Sequence, residues 1–184
     1  MSPDDTLHSK VLYGIAIIPF GEIENEVLTF LRYWLNVIFK RKTHVYPPLA
    51  KPSFAYDSSR RQYLSTAIHR AVCAHHEYAH CERMLGVVDV DLYVPELNFV
   101  FGIAAERGAL ISLARLSPLW YGHPHDRELF QRRALTEAVH ELGHTFGLTH
   151  CANPRCVMFF SNSLEDTDRK GPEFCVRCAR LLKK

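Results

Sequence analysis

Residues 140–150 read HELGHTFGLTH, a pattern that specifies a helix and a metal site on one of its faces. His140 and His144 are four positions apart, so a helix presents both imidazoles on the same face, where they can bind one ion. Glu141 lies next to that face and can act on a water at the ion. The first half of the segment therefore predicts two zinc ligands, with Glu141 as the general base and acid.

The second half of the segment predicts a helix end and a third ligand. Gly147 suits that end because glycine tolerates positive φ, and the chain can then return to deliver His150. Three neutral imidazoles leave the fourth zinc position open for water, as a catalytic site requires and a closed structural site does not. We therefore predict a catalytic zinc held by His140, His144 and His150.

Residues 76–80, HEYAH, carry the same short signature and are its rival. HExxH arises by chance about 0.04 times in a chain of this composition, and the extended HExxHxxGxxH about 0.0001 times. After His80 the chain offers no third ligand, so we interpret HEYAH as part of a long helix from about Ser59 to Met84, capped at Asp57; a surface metal site is the alternative. The buried stripe of that helix is predicted to be Leu64, Ile68, Ala71, His75 and Tyr78, and its solvated side His69, Cys73, His76 and His80.

Four of the six cysteines crowd into residues 151–184, in the order C-x4-C and then C-x2-C. Four thiolates suit a closed tetrahedral zinc site, which would stabilise a segment with few large apolar side chains. Two disulfides are the alternative, and the cytoplasmic location inferred below disfavours them. The predicted structural zinc ligands are Cys151, Cys156, Cys175 and Cys178.

Alternating strand and helix patterns predict an α/β fold with a mixed sheet and a small C-terminal appendage. We expect a single domain over 1–184, in which residues 1–147 form an upper portion and residues 148–184 form an irregular zinc-binding portion. The loop Ser117–Asp126 is expected to leave His123 and His125 solvated. The predicted strands are Val11–Pro19, Thr43–Tyr46, VVDVDLYVP (87–95), LNFVFGIA (97–104) and ALISLARL (109–116), and the other helices Glu24–Lys40 and Glu128–Phe146.

Composition and charge exclude several classes of function. The chain is 47% hydrophobic and 23% charged with a net charge of +2, and it lacks a basic stripe, so we expect no nucleic-acid partner. No apolar run reaches the length of a membrane span, and MSPDDTLHSK does not resemble a signal peptide. We therefore expect a cytoplasmic monomer that does not bind membranes.

The segment HELGHTFGLTHCANPRCVM, followed by FSNSLEDTDRK and a C-x-x-C, resembles the archaemetzincin family of metzincin zinc metallopeptidases. The resemblance is specific over residues 137–178 and extends upstream through LNFVFGIAAERGALISLARL. It implies a zincin-like metzincin fold with an antiparallel edge strand, two zinc ions, and a peptide or protein substrate. It also implies that Met158 forms the Met-turn below the zinc, and that ALISLARL is the edge strand pairing with an extended peptide.

One position departs from some metzincins, which carry a tyrosine two residues after the Met-turn methionine. Phe160 stands there in this chain, and we predict that Phe159 and Phe160 shape an apolar wall of the specificity pocket. Zinc-assisted peptide hydrolysis is the predicted activity. The rival function is a zinc-stabilised binding protein with little proteolytic activity, which Glu141 argues against because a structural three-histidine site needs no base.

Overall fold

A five-stranded mixed sheet lies at the centre of the computed structural model, which describes residues 14–182. The strands of the chain are β1 (Ile15–Phe20), β2 (Thr43–Val45), β3 (Tyr56–Asp57), β4 (Gln62–Leu64), β5 (Arg83–Val88), β6 (Leu92–Tyr93), β7 (Gly102–Ala105) and β8 (Gly108–Ser112). The helices are α1 (Asn25–Phe39), α2 (Ser65–Ala74), α3 (Arg127–Thr145), α4 (Leu164–Lys170) and α5 (Val176–Leu181). The central sheet has the order β2-β1-β5-β8-β7, and β3, β4 and β6 form a smaller second sheet.

Helices cover both faces of the central sheet, which explains why its inner strands are mostly apolar. Along β1, Ile15 and Ile17 belong to the core shared with α1 and α3, whereas Ala16 and Ile18 belong to the core shared with α2. Successive side chains of a strand point to opposite faces, so the run IAII fills both cores. The predicted β1 is confirmed from Ile15; residues 11–13 lie outside the described residues.

The mixed α/β architecture with one antiparallel edge strand is confirmed, but the identity of that strand differs from the prediction. The edge strand is β7, from the segment LNFVFGIA, and it pairs antiparallel with β8 alone. ALISLARL supplies β8, which lies between β5 and β7 and is buried at every residue. Its complete burial is that of an inner strand, whereas the partly exposed residues of β7 suit an edge.

The predicted long helix over 59–84 is wrong. Asp57 Oδ1 accepts hydrogen bonds from the backbone N–H groups of Ser59 (2.9 Å) and Arg60 (3.2 Å), so it closes the β3–β4 hairpin instead of capping a helix. Helix α2 is only ten residues long, and the chain then makes a 3₁₀ turn over His76–Tyr78. The apolar run after it enters the centre of the sheet as β5.

Three other predicted segments are shorter or more regular than expected. The strand over 87–95 is divided, because β5 ends at Val88 and Leu92–Tyr93 belongs to the second sheet. The C-terminal portion is not irregular, since it contains α4 and α5, and the loop after Ser117 contains a 3₁₀ turn over Pro118–Tyr121. Ser163 caps α4 by accepting a hydrogen bond from the Asp166 N–H at 3.3 Å, which is a local signal for that helix.

Candidate metal centres and catalytic cleft

Helix α3 carries HELGH through the interior of the protein. Asp126 caps its start by accepting a hydrogen bond from the Leu129 N–H at 3.0 Å. Every residue from Arg133 to Gly143 is buried between the sheet and the C-terminal portion. The helix ends at Thr145, and Gly147 follows with φ of +85°, which confirms the predicted helix end.

The structure brings His140, His144 and His150 together, with one ligand atom from each lying within 4.8 Å of the others. The Nδ1 of His140 donates to the Val157 carbonyl oxygen at 2.7 Å, and the Nδ1 of His144 donates to the Leu148 carbonyl oxygen at 2.8 Å. These bonds place the lone pair of each ring on Nε2, and the two Nε2 atoms are 3.2 Å apart. The arrangement could hold a metal ion.

Burial controls the charge of the groups in this cluster. It lowers the pKa of His140 to about 2, helped by the positive charge of Lys170, and burial also lowers the pKa values of His144 and His150. The imidazoles are therefore neutral at physiological pH, as metal ligands must be. Burial raises the pKa of Glu141 to about 8, and the negative charge of Glu137 adds to this effect.

Glu141 lies in a cavity of about 240 Å³ beside the histidines. The cavity is bounded on one side by the segment leading into the edge strand β7, and on the other by the chain after Met158. The described residues that line it are Leu97, Asn98, Phe99, Val100, Phe101, Gly102, Glu137, His140, Glu141, Phe160, Ser161, Asn162 and Lys170. The start of β7 and Glu141 therefore line the same cavity.

Sequence reasoning missed two charged residues of this cavity, Glu137 and Lys170. Their side chains are 3% and 0% exposed, and Lys170 Nζ lies 3.3 Å from Glu137 Oε1. Lys170 also donates to the Phe159 carbonyl oxygen at 3.3 Å, and Thr167 donates to Glu137 Oε1 at 2.9 Å. Glu137 is one helical turn before Glu141, a spacing that could have identified it. No local signal marks Lys170, because α4 brings it to α3 from 33 positions away.

The rival pentapeptide HEYAH forms no comparable cluster within residues 14–182. His76 and His80 are exposed, and His80 Nε2 contacts the Tyr46 hydroxyl at 3.1 Å. His69, predicted to be solvated, is instead buried and donates to the Gly108 carbonyl oxygen at 2.9 Å. Elsewhere, His123 and His125 are exposed as predicted and do not line the cavity beside Glu141. These two and the other five described histidines outside HELGHTFGLTH make no contact with the three clustered histidines.

The four C-terminal cysteines form the second cluster, again with one ligand atom from each within 4.8 Å of the others. All four are free thiols; Cys156 and Cys178 are buried. The Cys175 N–H donates to the Cys156 sulfur at 3.3 Å, and the backbone N–H of Cys178 is the main cause that lowers the pKa of Cys175 to about 7. Four thiols that converge without bridging could hold a metal ion in a closed site.

Met158 is buried directly against the HELGH helix. A Cβ built on Gly143 would lie 2.5 Å from the Met158 sulfur, so a larger residue at position 143 would force the Met158 side chain to move. The Met158 carbonyl oxygen also accepts from the Cys151 N–H at 2.8 Å, which ties the chain after His150 back to the methionine. These contacts place Met158 where the sequence predicts a Met-turn; its supporting role stays a prediction.

Gly143→Ala is expected to destabilise the protein by up to about 2 kcal/mol. Overpacking against Met158 costs about 1–3 kcal/mol, and the better helix propensity of alanine offsets about 1 kcal/mol. The free energy of unfolding from denaturant titration measures the effect. In a Met158→Ala background the same substitution should become stabilising, and an unchanged cost there would contradict the assigned contact.

Phe160 and Phe159 contribute unequally to the cavity wall. Phe160 lines the cavity and packs edge-on against His150, with ring centroids 4.9 Å apart. Phe159 is not among the cavity-lining residues; its carbonyl oxygen holds Lys170. The predicted apolar wall is therefore supported for Phe160 alone.

The fold and the two clusters define a zinc metallopeptidase of the metzincin type. Residues 11–184 match the sequence profile of Peptidase family M54. An archaemetzincin from Pyrococcus abyssi is 44% identical over 177 residues, covering 92% of this chain and 94% of that protein. The chain therefore belongs to peptidase family M54, the archaemetzincins.

Solved structures agree with this assignment. The crystal structure of archaemetzincin from Methanopyrus kandleri aligns with a TM-score of 0.81 at 36% identity and covers 97% of each chain. The crystal structure of a zinc-dependent peptidase from Methanocorpusculum labreanum aligns with a TM-score of 0.81 at 27% identity, covering 92% of this chain and all (100%) of that one. The protein is a zinc metallopeptidase that acts on peptide substrates.

Proposed function

We propose that this peptidase hydrolyses peptide bonds at His140, His144 and His150, with Glu141 as general base and acid. The observation that carries the proposal is the convergence of three neutral imidazoles beside a buried carboxyl group. A zinc ion held by the three histidines would supply Lewis acidity, activating water and polarising the scissile carbonyl group. The donor set fits zinc, which is commonly bound by imidazole nitrogen in catalytic sites.

Glu141 performs the proton transfers in this scheme. Its carboxylate takes a proton from the attacking water and then delivers that proton to the amine that leaves. Burial, which raises the pKa of Glu141 to about 8, favours the protonated form needed for the second step. A cation at the histidines would favour the carboxylate form of Glu141, which the first step needs. Burial and the cation therefore have opposite effects on the pKa of Glu141.

The substrate is proposed to bind along β7 as an added antiparallel strand. Among the described residues, β7 pairs on one edge with β8. Its other edge is free and presents unpaired backbone groups beside the cavity. Phe99, Phe101 and Phe160 give the cavity apolar walls, whereas Glu137 and Lys170 make one side polar. A peptide held in this way has its scissile carbonyl group between the histidines and Glu141.

The test is hydrolysis of a mixed peptide library by wild type and Glu141→Gln, with zinc measured by elemental analysis. We expect Glu141→Gln to keep its zinc and to lose at least about 100-fold in rate, the usual contribution of a general base. His144→Ala serves as the control that loses one zinc ion. Wild type that binds zinc and cleaves no peptide would refute the proposed reaction, and full activity in Glu141→Gln would refute the role of Glu141.

We further propose that the chain binds two zinc ions and works as a monomeric domain in the cytoplasm, without a nucleic-acid or membrane partner. Six unbridged cysteines support a reducing compartment, because four of them must remain thiols to bind metal. No helix within residues 14–182 has the length and apolar character to cross a bilayer. Residues of 148–182 share the main core with the sheet, which supports one domain over 1–184.

A further inference from the structure

We propose that Gly102 is a positioning residue for Glu141: the volume left empty by its missing side chain is the volume that the Glu141 side chain occupies. Gly102 is the first residue of the edge strand β7 and faces helix α3 across the cavity. The inference rests on the proposed role of Glu141 and adds to it a second residue, on a different element, without which that role fails.

The distances leave no room for a side chain at this position. A Cβ built on Gly102 would lie 2.7 Å from Glu141 Cγ and 2.8 Å from Glu141 Oε1. It would also lie 2.7 Å from the Leu110 carbonyl oxygen on the neighbouring strand β8. Gly102 is not among the residues with positive φ, so its backbone conformation is open to any residue. Close approach alone explains the glycine.

Packing is what holds the Glu141 carboxyl in place. Glu141 is only 7% exposed, and its Cγ and Oε1 are among the atoms nearest to a Cβ built on Gly102. By contrast, His140 and His144 are each fixed by a hydrogen bond from Nδ1. A general base works only when its neighbours hold it in position, and Gly102 is the neighbour on the sheet side.

A methyl group at position 102 would therefore displace the carboxyl and leave the metal ligands undisturbed. The methyl group also meets the Leu110 carbonyl oxygen, so β7 must shift slightly away from β8 in any background, whereas the Glu141 side chain can rotate out of the way. None of the three atoms nearest to a Cβ built on Gly102 belongs to a histidine. A loss specific to Glu141, with zinc retained, separates a positioning role from a merely structural one.

The experiment measures binding of acetohydroxamate to zinc-loaded protein by calorimetry, because this ligand chelates zinc and hydrogen-bonds to an adjacent carboxylate. Glu141→Ala shows how much affinity that carboxylate contributes. Gly102→Ala is expected to weaken binding by about 10- to 100-fold, the worth of a charged hydrogen bond, with zinc content unchanged. Gly86→Ala is the matched control, since it adds the same methyl group to the same sheet against the Val72 and Leu110 side chains, in the core shared with α2. Its affinity should stay within about twofold of wild type.

Thermal stability, measured as Tm, provides a second and independent test. The fall in Tm caused by Gly102→Ala should shrink in a Glu141→Ala background, because the clashing side chain is gone. Wild-type hydroxamate affinity in Gly102→Ala, loss of its zinc, or an equal fall in Tm in both backgrounds would each overturn the proposal. If wild type binds hydroxamate through Glu141 but cleaves no peptide, the proposed reaction fails while this inference is still decided by binding.

Discussion

Cys156→Ser is expected to reduce the zinc content by one ion per chain and to lower Tm by about 10 °C or more. A structural zinc site contributes about 10–16 kcal/mol of binding free energy in small zinc domains, and losing one of four thiolates removes several kcal/mol of it. Cys156 is fully buried and accepts a hydrogen bond from the Cys175 N–H. A serine hydroxyl at this position would be equally buried and would not have the metal ion as a partner. Elemental analysis and thermal unfolding measure both effects.

Cys81→Ser is the matched control, since Cys81 is also a buried free thiol and lies outside the cluster. It makes the same chemical change in a comparable environment, so it reports the cost of the hydroxyl alone, about 1 kcal/mol. Equal zinc content and equal Tm in the two variants would show that the four cysteines do not hold a metal ion. In that case the C-terminal portion would depend on its packing against Met158 and α3.

The convergence of the three histidines was predictable because the residues that determine it are close together in the sequence. His140, His144, Gly147 and His150 lie within eleven residues, and helix geometry together with one helix end nearly fixes their arrangement. The cysteine spacing likewise predicted a converging cluster. In both cases the covalent chain limits where the side chains can go, so short-range rules were sufficient.

The wrong predictions concern segments whose structure depends on contacts with distant parts of the chain. The stretch from 59 to 84 has helical periodicity, yet Met84 and its neighbours pair with β1 and β8, and that pairing outweighs local propensity. The edge strand was assigned to ALISLARL because the resemblance to the archaemetzincin family implied it, and the strand pattern of that segment offered no correction. Strand strength does not reveal strand order, and the order β5-β8-β7 depends on contacts that no short segment contains.

Lys170→Met is expected to lower the free energy of unfolding by about 3–5 kcal/mol, the usual cost of leaving one member of a buried ion pair alone. The side chains of Lys170 and Glu137 are 0% and 3% exposed, so little water reaches either charge. Without the ammonium group, Glu137 keeps a hydrogen bond from Thr167 but no opposite charge, and the Phe159 carbonyl oxygen loses a donor. Denaturant unfolding of the zinc-loaded protein gives the value.

Two further variants separate the ion pair from general effects of substitution. Arg169→Met changes the adjacent residue, whose side chain is 57% exposed in its pair with Asp166, and it should cost about 0.5 kcal/mol or less. Lys170→Met combined with Glu137→Leu removes both charges and should recover stability to within about 1 kcal/mol of wild type. If the double variant is instead as unstable as Lys170→Met alone, the loss comes from the missing lysine contacts, and Glu137 needs no counterion. Recovery would mean that stability alone does not require the pair, whose two members line the cavity beside Glu141.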